Sequence, residues 1–197
     1  MKNIYAFDFD GTLTKRDSLI VFLLFAKGWK EFLKCFALHI HLLIAMKLKL
    51  ADSGKVKESI FAYYFQNMPE SMFDNLCERF AATHSHILRP KGVERVREAM
   101  AEPDSTVMIV SASINNWVAP FFREFPGIEI FCTRIEVKEG NLTGRFLSAN
   151  CRGKEKVRRI LALHPDRKSY FLTAFGDSSG DIAMLDFADE GFYKPFR

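Results

Sequence analysis

Two carboxylates, Asp8 and Asp10, stand two residues apart where the apolar run Ile4-Tyr5-Ala6-Phe7 gives way to Gly11 and Thr12. The run is short, aromatic and apolar, which predicts a buried strand ending in a turn. Strand alternation puts Asp8 and Asp10 on the same side, both emerging where the strand stops. Carboxylates beside a core need a compensating cation. Mg²⁺ suits the position because it is hard, takes oxygen ligands and keeps open positions for phosphate oxygens. A carboxylate so held can act as a nucleophile, as in enzymes that pass through an aspartyl phosphate. Taken alone, the pentapeptide also fits an edge strand with two solvated Asp residues and a turn.

Three further segments carry complementary chemistry. Thr106-Val107-Met108-Ile109-Val110 is a β-branched apolar run that ends in Ser111-Ala112-Ser113. A hydroxyl there, with the N–H groups of the following turn, can hold a phosphate oxygen. Gly153-Lys154-Glu155-Lys156-Val157 opens a helical pattern with Val157, Ile160, Leu161 and Leu163 as apolar positions. A lysine in a first turn opposes the helix dipole, so Lys154 is better explained by an anionic partner than by helix stability. Tyr170 to Phe175 reads as another strand and delivers Gly176-Asp177-Ser178-Ser179-Gly180-Asp181 through a Gly-rich turn into a helix. Open α/β sheets place their sites at the carboxyl ends of strands, so acid, hydroxyl, cation and acid can meet in one crevice.

With these four segments in order, the sequence resembles the haloacid dehalogenase superfamily of Mg²⁺-dependent phosphohydrolases. The motifs that carry the resemblance are Asp8-Phe9-Asp10-Gly11-Thr12-Leu13-Thr14, Ser111, Lys154 and Gly176 to Asp181, and they span the chain. The resemblance implies that Asp8 is the nucleophile and Asp10 the general acid, then base. It implies that Ser111, Ala112 and Lys154 bind the transferring phosphate. Mg²⁺ would be held by the carboxylates of Asp8 and Asp177 and the main-chain carbonyl of Asp10, with Asp181 orienting the lysine or a metal-bound water. Halide-releasing relatives lack the second carboxylate of the first motif, so Asp10 argues for phosphoryl transfer.

At 197 residues and 48% hydrophobic composition the chain can bury a full core. The four cysteines, Cys35, Cys77, Cys132 and Cys151, have no paired spacing. That pattern suggests neither a zinc site nor a disulfide framework and points to a reducing, cytoplasmic compartment. The first apolar run contains Asp8 and Asp10, which argues against a signal peptide. A net charge of +4, with no dense basic tract interleaved with aromatics, argues against nucleic-acid binding.

Organisation follows from where the patterns change. From Ser18 to about Ile87 the chain reads almost entirely helical, with Gly28, Gly54 and Pro69 as the main breakers. After Arg89-Pro90-Lys91-Gly92 the alternation of strand and helix resumes. Asn115 to Phe125 reads as a helix with Asn115 as its cap; Glu129 to Cys132 and Glu136 to Lys138 read as short strands, with a hairpin turn at Glu139-Gly140-Asn141-Leu142. The expected fold is a doubly wound, mostly parallel Rossmann-like α/β core, residues 1–14 and 89–197, interrupted by an all-helical cap, residues 15–88. A cap inserted right after the first motif resembles phosphoserine phosphatase. The stretch Thr14-Lys15-Arg16-Asp17-Ser18 running into this cap bears a looser resemblance to phosphatidylglycerophosphatase C.

The cap is unusually apolar. Leu19 to Ala26 and Cys35 to Met46 are apolar runs bordered by Lys27, Lys30, Lys34, Lys47 and Lys49. Neither reaches the ~20 apolar residues that cross a bilayer. The helices either pack on each other and on the core, or present a basic, apolar surface that approaches anionic lipid at the inner face of a membrane. His39-x-His41 and His84-x-His86 do not share a helix face and suit packing better than metal binding. Asp17 either contacts substrate, as an acidic residue of the phosphoserine phosphatases does, or caps the first cap helix.

These readings converge on a Mg²⁺-dependent phosphomonoester hydrolase working through an aspartyl phosphate, on a lipid or other apolar phosphomonoester. The alternatives are a small soluble phosphomonoester such as phosphoserine, a phosphotransferase, and a catalytically idle, membrane-apposed binding protein. The sequence leaves the oligomeric state open.

Overall fold

Strand β1 (Lys2–Phe7) lies at the centre of a five-stranded sheet in a computed structural model that describes residues 2–48 and 50–197. Lys49, one of the bordering lysines, falls outside the described residues. Strands β2 (Ser105–Ile114) and β6 (Tyr170–Gly176) flank β1 in parallel, and β3 (Glu129–Thr133) and β7 (Glu190–Tyr193) extend the sheet, giving the order β3-β2-β1-β6-β7. Phe7 pairs with Ile109 on one side and Phe175 on the other, so β1 and β6 end nearly level while β2 runs on to Ile114. Chain order reverses across β1, which places the topological switch point at its carboxyl end.

The period of two along β1 sorts the core into two layers. Tyr5 and Phe7 join Val107, Ile109 and Phe175 on one face, under helix α4 (Pro90–Ala101). Ile4 and Ala6 join Met108, Val110, Leu172 and Ala174 on the other, under α6 (Lys154–Leu163) and α7 (Ile182–Phe187). The architecture is the α/β doubly wound, mostly parallel sheet with an inserted helical segment that the sequence predicts. Strands β4 (Ile135–Lys138) and β5 (Asn141–Phe146) form a separate antiparallel hairpin.

Between β1 and α4 run three helices, α1 (Ser18–Lys47), α2 (Ser53–Phe65) and α3 (Glu70–His84). Asp17 and Asp52 cap α1 and α2 by accepting backbone N–H bonds. Helix α1 breaks at Gly28, where φ is +76° and ψ 169°, a conformation that glycine adopts without a Cβ clash. Before the break, Phe22 stacks on Trp117, with ring centroids 4.9 Å apart. Phe80 and Phe61 make similar contacts with Phe121 and Phe146. Rings of the helical segment and of the sheet domain therefore share one apolar layer, each buried ring contributing about 1.5–3 kcal/mol.

Two elements differ from the sequence expectation. The helix expected over Asn115–Phe125 is short: α5 covers Asn115–Val118 and passes into a 3-10 turn, Ala119–Phe122. Pro120 has no N–H with which to continue it. Asn115 makes no capping bond, and Asn116 donates to Asp74 instead. Strand β7 has no apolar alternation because all four of its residues are exposed at the sheet edge.

Candidate active site

The carboxyl end of β1 begins the site. Asp8 N–H donates to the Phe175 carbonyl at 2.9 Å, so Asp8 is held by the sheet although it lies past the strand. Its carboxylate is buried, with Oδ2 accepting from Thr12 Oγ1 at 3.1 Å and Oδ1 from Lys156 Nζ at 2.6 Å. The turn Phe9–Leu13 folds back over this end, and Gly11 enters it at φ +79°. A Cβ at Gly11 would collide with the Asp177 carboxylate, so this residue's bareness lets two strand ends come together.

Asp10 faces the other way. Oδ1 accepts Ser18 N–H at 2.6 Å, and Oδ2 accepts a short bond from Ser113 Oγ. Ser18 Oγ lies 3.2 Å from Ser113 Oγ and accepts from Trp117 Nε1. One carboxylate thus ties the first motif to the start of α1 and to the end of β2. Ser111 is buried beside it and accepts from Ser113 N–H, while the Ala112 carbonyl accepts from Lys57 Nζ at 3.3 Å.

Strand β6 delivers the other two acids. Asp181 Oδ2 accepts from Asp177 N–H, Ser178 N–H and Ser178 Oγ within 3.1 Å, and Oδ1 lies 2.6 Å from Lys156 Nζ. Asp177 pairs with the Arg197 guanidinium.

The lysine assignment needs correcting. Lys154 is exposed in the first turn of α6, whereas Lys156 is fully buried and reaches Asp8, Asp181 and the Val110 carbonyl, each at 2.6 Å. Positions two apart on a helix point to opposite sides, and Lys156 shares its face with the buried Ile160 four residues on. A lysine on the apolar stripe of α6 was the available signal. Leu163, expected on that stripe, is exposed.

Electrostatics follow from burial. Burial raises Asp8 to about 7, with Lys156 opposing it. It also raises Asp10, helped by the Asp17 carboxylate, and Asp177, against Arg197. At Asp181 burial acts upward too, yet Lys156 and the Ser178 bonds outweigh it and hold the acid low. Burial would lower Lys156, but Asp8 and Asp181 keep it protonated.

One carboxylate oxygen from each of Asp8, Asp177 and Asp181 lies within 4.8 Å of the others. Hard oxygen donors so gathered, under a turn that only glycine can make, fit a Mg²⁺ ion. The Asp10 carboxylate lies outside this group, engaged with Ser18 and Ser113.

The crevice, of about 420 Å³, is lined by Asp8, Asp10, Ser111, Lys156, Asp177 and Arg197 among others. Beside it lies a second cavity of about 360 Å³, walled by Leu23, Phe32, Phe36, Val56, Ile60 and Tyr64. Asp17, Lys57, Ala112 and Arg152 line both spaces. The four cysteines are free and buried. His39 bonds the Cys35 carbonyl, and the rings of His84 and His86 lie tilted against one another, 5.4 Å apart. Ser18, Ser113, Lys156 and Arg197 are members of the site that the motifs did not flag, and Thr12, inside the first motif, gains a role as a donor to Asp8.

The model of haloacid dehalogenase-like hydrolases matches residues 5–186, and the chain belongs to that family. It is an enzyme of the hydrolase class. Protein CicA of Caulobacter vibrioides is 33% identical over 197 residues, covering 98% of this chain and 86% of that one. A protein of unknown function from Bordetella pertussis Tohama I superimposes with a TM-score of 0.81 at 19% identity, over 95% of this chain and 88% of the other. A phosphoserine phosphohydrolase-like protein from Francisella tularensis gives 0.68 at 17% identity, over 98% and 86%. The fold is that of the phosphoserine phosphatase-like branch.

Proposed function

We propose that the chain is a Mg²⁺-dependent phosphomonoester hydrolase that forms an aspartyl phosphate on Asp8 and takes substrates with an apolar alcohol part. The observation that carries this reading is the meeting of Asp8, Asp177, Asp181 and Lys156 at one sheet end, next to an apolar cavity.

In this reading residues 1–14 and 89–197 form the catalytic core and residues 15–88 the cap. Asp8 attacks phosphorus, the bond to the substrate oxygen breaks, and Asp10 protonates the departing alkoxide. Asp10 then takes a proton from the water that hydrolyses the aspartyl phosphate. Burial favours the protonated acid this cycle starts from, and Ser113 and Ser18 fix its orientation. Asp8 and Asp177, with the main-chain carbonyl of Asp10, would hold Mg²⁺, which supplies positive charge to a phosphoryl oxygen. Ser111 and the N–H groups around Ala112 bind other phosphoryl oxygens, and Asp181 fixes Lys156 against Asp8.

The apolar cavity gives the alcohol part its place, at ~0.8 kcal/mol per methylene buried. Asp17 caps α1 while lining both spaces, and we give it a second role in facing substrate. Beyond Gly28, α1 exposes Trp29, Leu33, Ile40 and Ile44 beside Lys30, Lys34 and Lys47, a surface suited to peripheral contact with an anionic membrane. No helix among the described residues is long and apolar enough to cross one.

The test is hydrolysis of an aryl phosphate by wild type and Asp8→Asn, with Mg²⁺ and with chelator. Loss of a covalent nucleophile is expected to lower turnover by several orders of magnitude, and chelator should silence the wild type. An Asp8→Asn enzyme within tenfold of wild type, or full activity in chelator, defeats the mechanism.

A further inference from the structure

We propose that Arg197 is a phosphate-binding residue of this site, parked on Asp177 until a divalent cation takes that carboxylate. The proposal rests on the phosphatase reading above. It starts from the donors of Lys156. An ammonium has three N–H bonds, and here they point to Asp8 Oδ1, Asp181 Oδ1 and the Val110 carbonyl, each at 2.6 Å. In this arrangement all three donors of Lys156 are engaged. The crevice is therefore lined by five carboxylates, Asp8, Asp10, Asp17, Asp177 and Asp181, with its buried lysine already engaged, before a phosphate dianion enters it.

Of the other cations that line the crevice, Arg16 is exposed and touches none of the acids, and three have partners of their own. Lys15 donates to the His86 carbonyl, Lys57 to the Ala112 carbonyl and Arg152 to Ser179 Oγ. Arg197 alone among them is paired with a carboxylate of the metal-fitting group. A cation bound at Asp177 displaces the guanidinium from its partner, and a planar fork of N–H donors is then free beside the reacting oxygens.

The chain is built to keep it there. After β7, Lys194 N–H donates to the Gly176 carbonyl at 2.7 Å, and its φ of +56° turns the backbone across the strand ends. Phe196 then stacks on Phe175 at 5.5 Å and lies 6.5 Å from Phe7, under Gly92. An aromatic anchor thus tethers Arg197 at the mouth, while its side chain stays 45% exposed and able to turn.

Calorimetry separates the two ligands. Mg²⁺ is titrated into metal-free protein, and inorganic phosphate into Mg²⁺-saturated protein, for wild type, Arg197→Gln and Arg197→Lys. Arg197→Gln is expected to bind Mg²⁺ as tightly as wild type or several-fold more tightly, since a competitor for Asp177 is gone. It should bind phosphate at least tenfold more weakly, with Arg197→Lys between the two. Phosphate affinity within twofold of wild type in Arg197→Gln overturns the proposal and leaves the phosphatase reading standing. Weakened Mg²⁺ binding in Arg197→Gln also overturns it, because Arg197 would then be a support for Asp177. A wild type that binds no phosphate in Mg²⁺ removes both readings together.

Discussion

The two spaces that meet at Lys57 and Arg152 are built by opposite rules. In the crevice, acids are met by charges and hydrogen-bond donors: the buried Lys156 bridges Asp8 and Asp181, Asp10 is held by two serines, and the half-exposed Arg197 covers Asp177. In the neighbouring cavity Leu23, Phe32, Phe36, Val56 and Ile60, side chains that ask for no hydrogen bond, make much of the wall, and the charges of Asp17, Lys57 and Arg152 stand where it meets the crevice. The first is made at the ends of sheet strands, whose register allows little freedom. The second is made between α1 and α2, where a change of side-chain volume alters shape without touching the charges. Chemistry and selectivity are therefore separable by substitution.

The largest effect tests the charged side. Lys156→Met strands two buried carboxylates without a cation and leaves the Val110 carbonyl without its donor, a change that costs about 3–5 kcal/mol. At ~2–4 °C per kcal/mol for a chain of this size, thermal unfolding should fall by roughly 10 °C. Lys154→Met, on the exposed side of the same turn, should stay within about 0.5 kcal/mol. Melting curves of the two variants in chelator decide the matter, and equal midpoints would return the site lysine to position 154.

The apolar side predicts a smaller, selective effect. Ile60 lines the cavity and is only partly buried, so Ile60→Trp fills space at little cost to the core. Displacing two or three methylenes at ~0.8 kcal/mol each should cut the preference for a long-chain over a short-chain phosphomonoester by roughly tenfold or more. Specificity constants for a matched pair of substrates measure it. A wild type with no chain-length preference would point instead to a small soluble phosphomonoester.

How much of this was legible in the sequence depends on whether a signal was local. Asp8 and Asp10 are placed by a strand and a turn that run from Lys2 to Leu13, and Asp177 and Asp181 by the Gly-rich turn Gly176 to Asp181; both read directly. Lys156 did not, because a first-turn lysine and a lysine two positions later differ only in which side of α6 meets the sheet. The stripe shared with Ile160, four residues on, decides that; it runs along α6 itself and was the one signal available. Ser113 and Ser18 sit close in sequence to Ser111 and Asp10, but only the packing of α1 on the end of β2 shows that both hold Asp10, and no spacing reports Arg197. Edge strand β7 carries no apolar alternation, and Pro120 shortened a helix whose apolar pattern ran on. The patterns that count residues along one element were readable, and those that count neighbours across elements were not.

The smallest expected effect concerns the outside of the same helix that walls the cavity. Beyond the Gly28 break, Trp29, Leu33, Ile40 and Ile44 share one face and are exposed, to one side of the cavity-lining Cys35, His39 and Leu43. Helix α1 therefore has an inner apolar face that substrate carbons can fill and an outer one that only another surface can cover. Lys30, Lys34 and Lys47 are exposed along the outer side, whereas Lys27 is drawn inward over the Phe65 ring at 5.2 Å. The three outward lysines should each contribute about 1 kcal/mol at an anionic bilayer, which is roughly fivefold in affinity. Lys30→Gln and Lys34→Gln should thus each weaken sedimentation with anionic vesicles about fivefold, and Lys27→Gln less. Salt should act the same way, because exposed charges are screened over ~10 Å at 0.1 M. Neutral vesicles should capture the protein through the apolar residues alone, and less well. Equal capture by neutral and anionic vesicles would remove the lysines from the argument. No capture by either would leave the outer face of α1 without a membrane role, while the inner face and the crevice would stand as before.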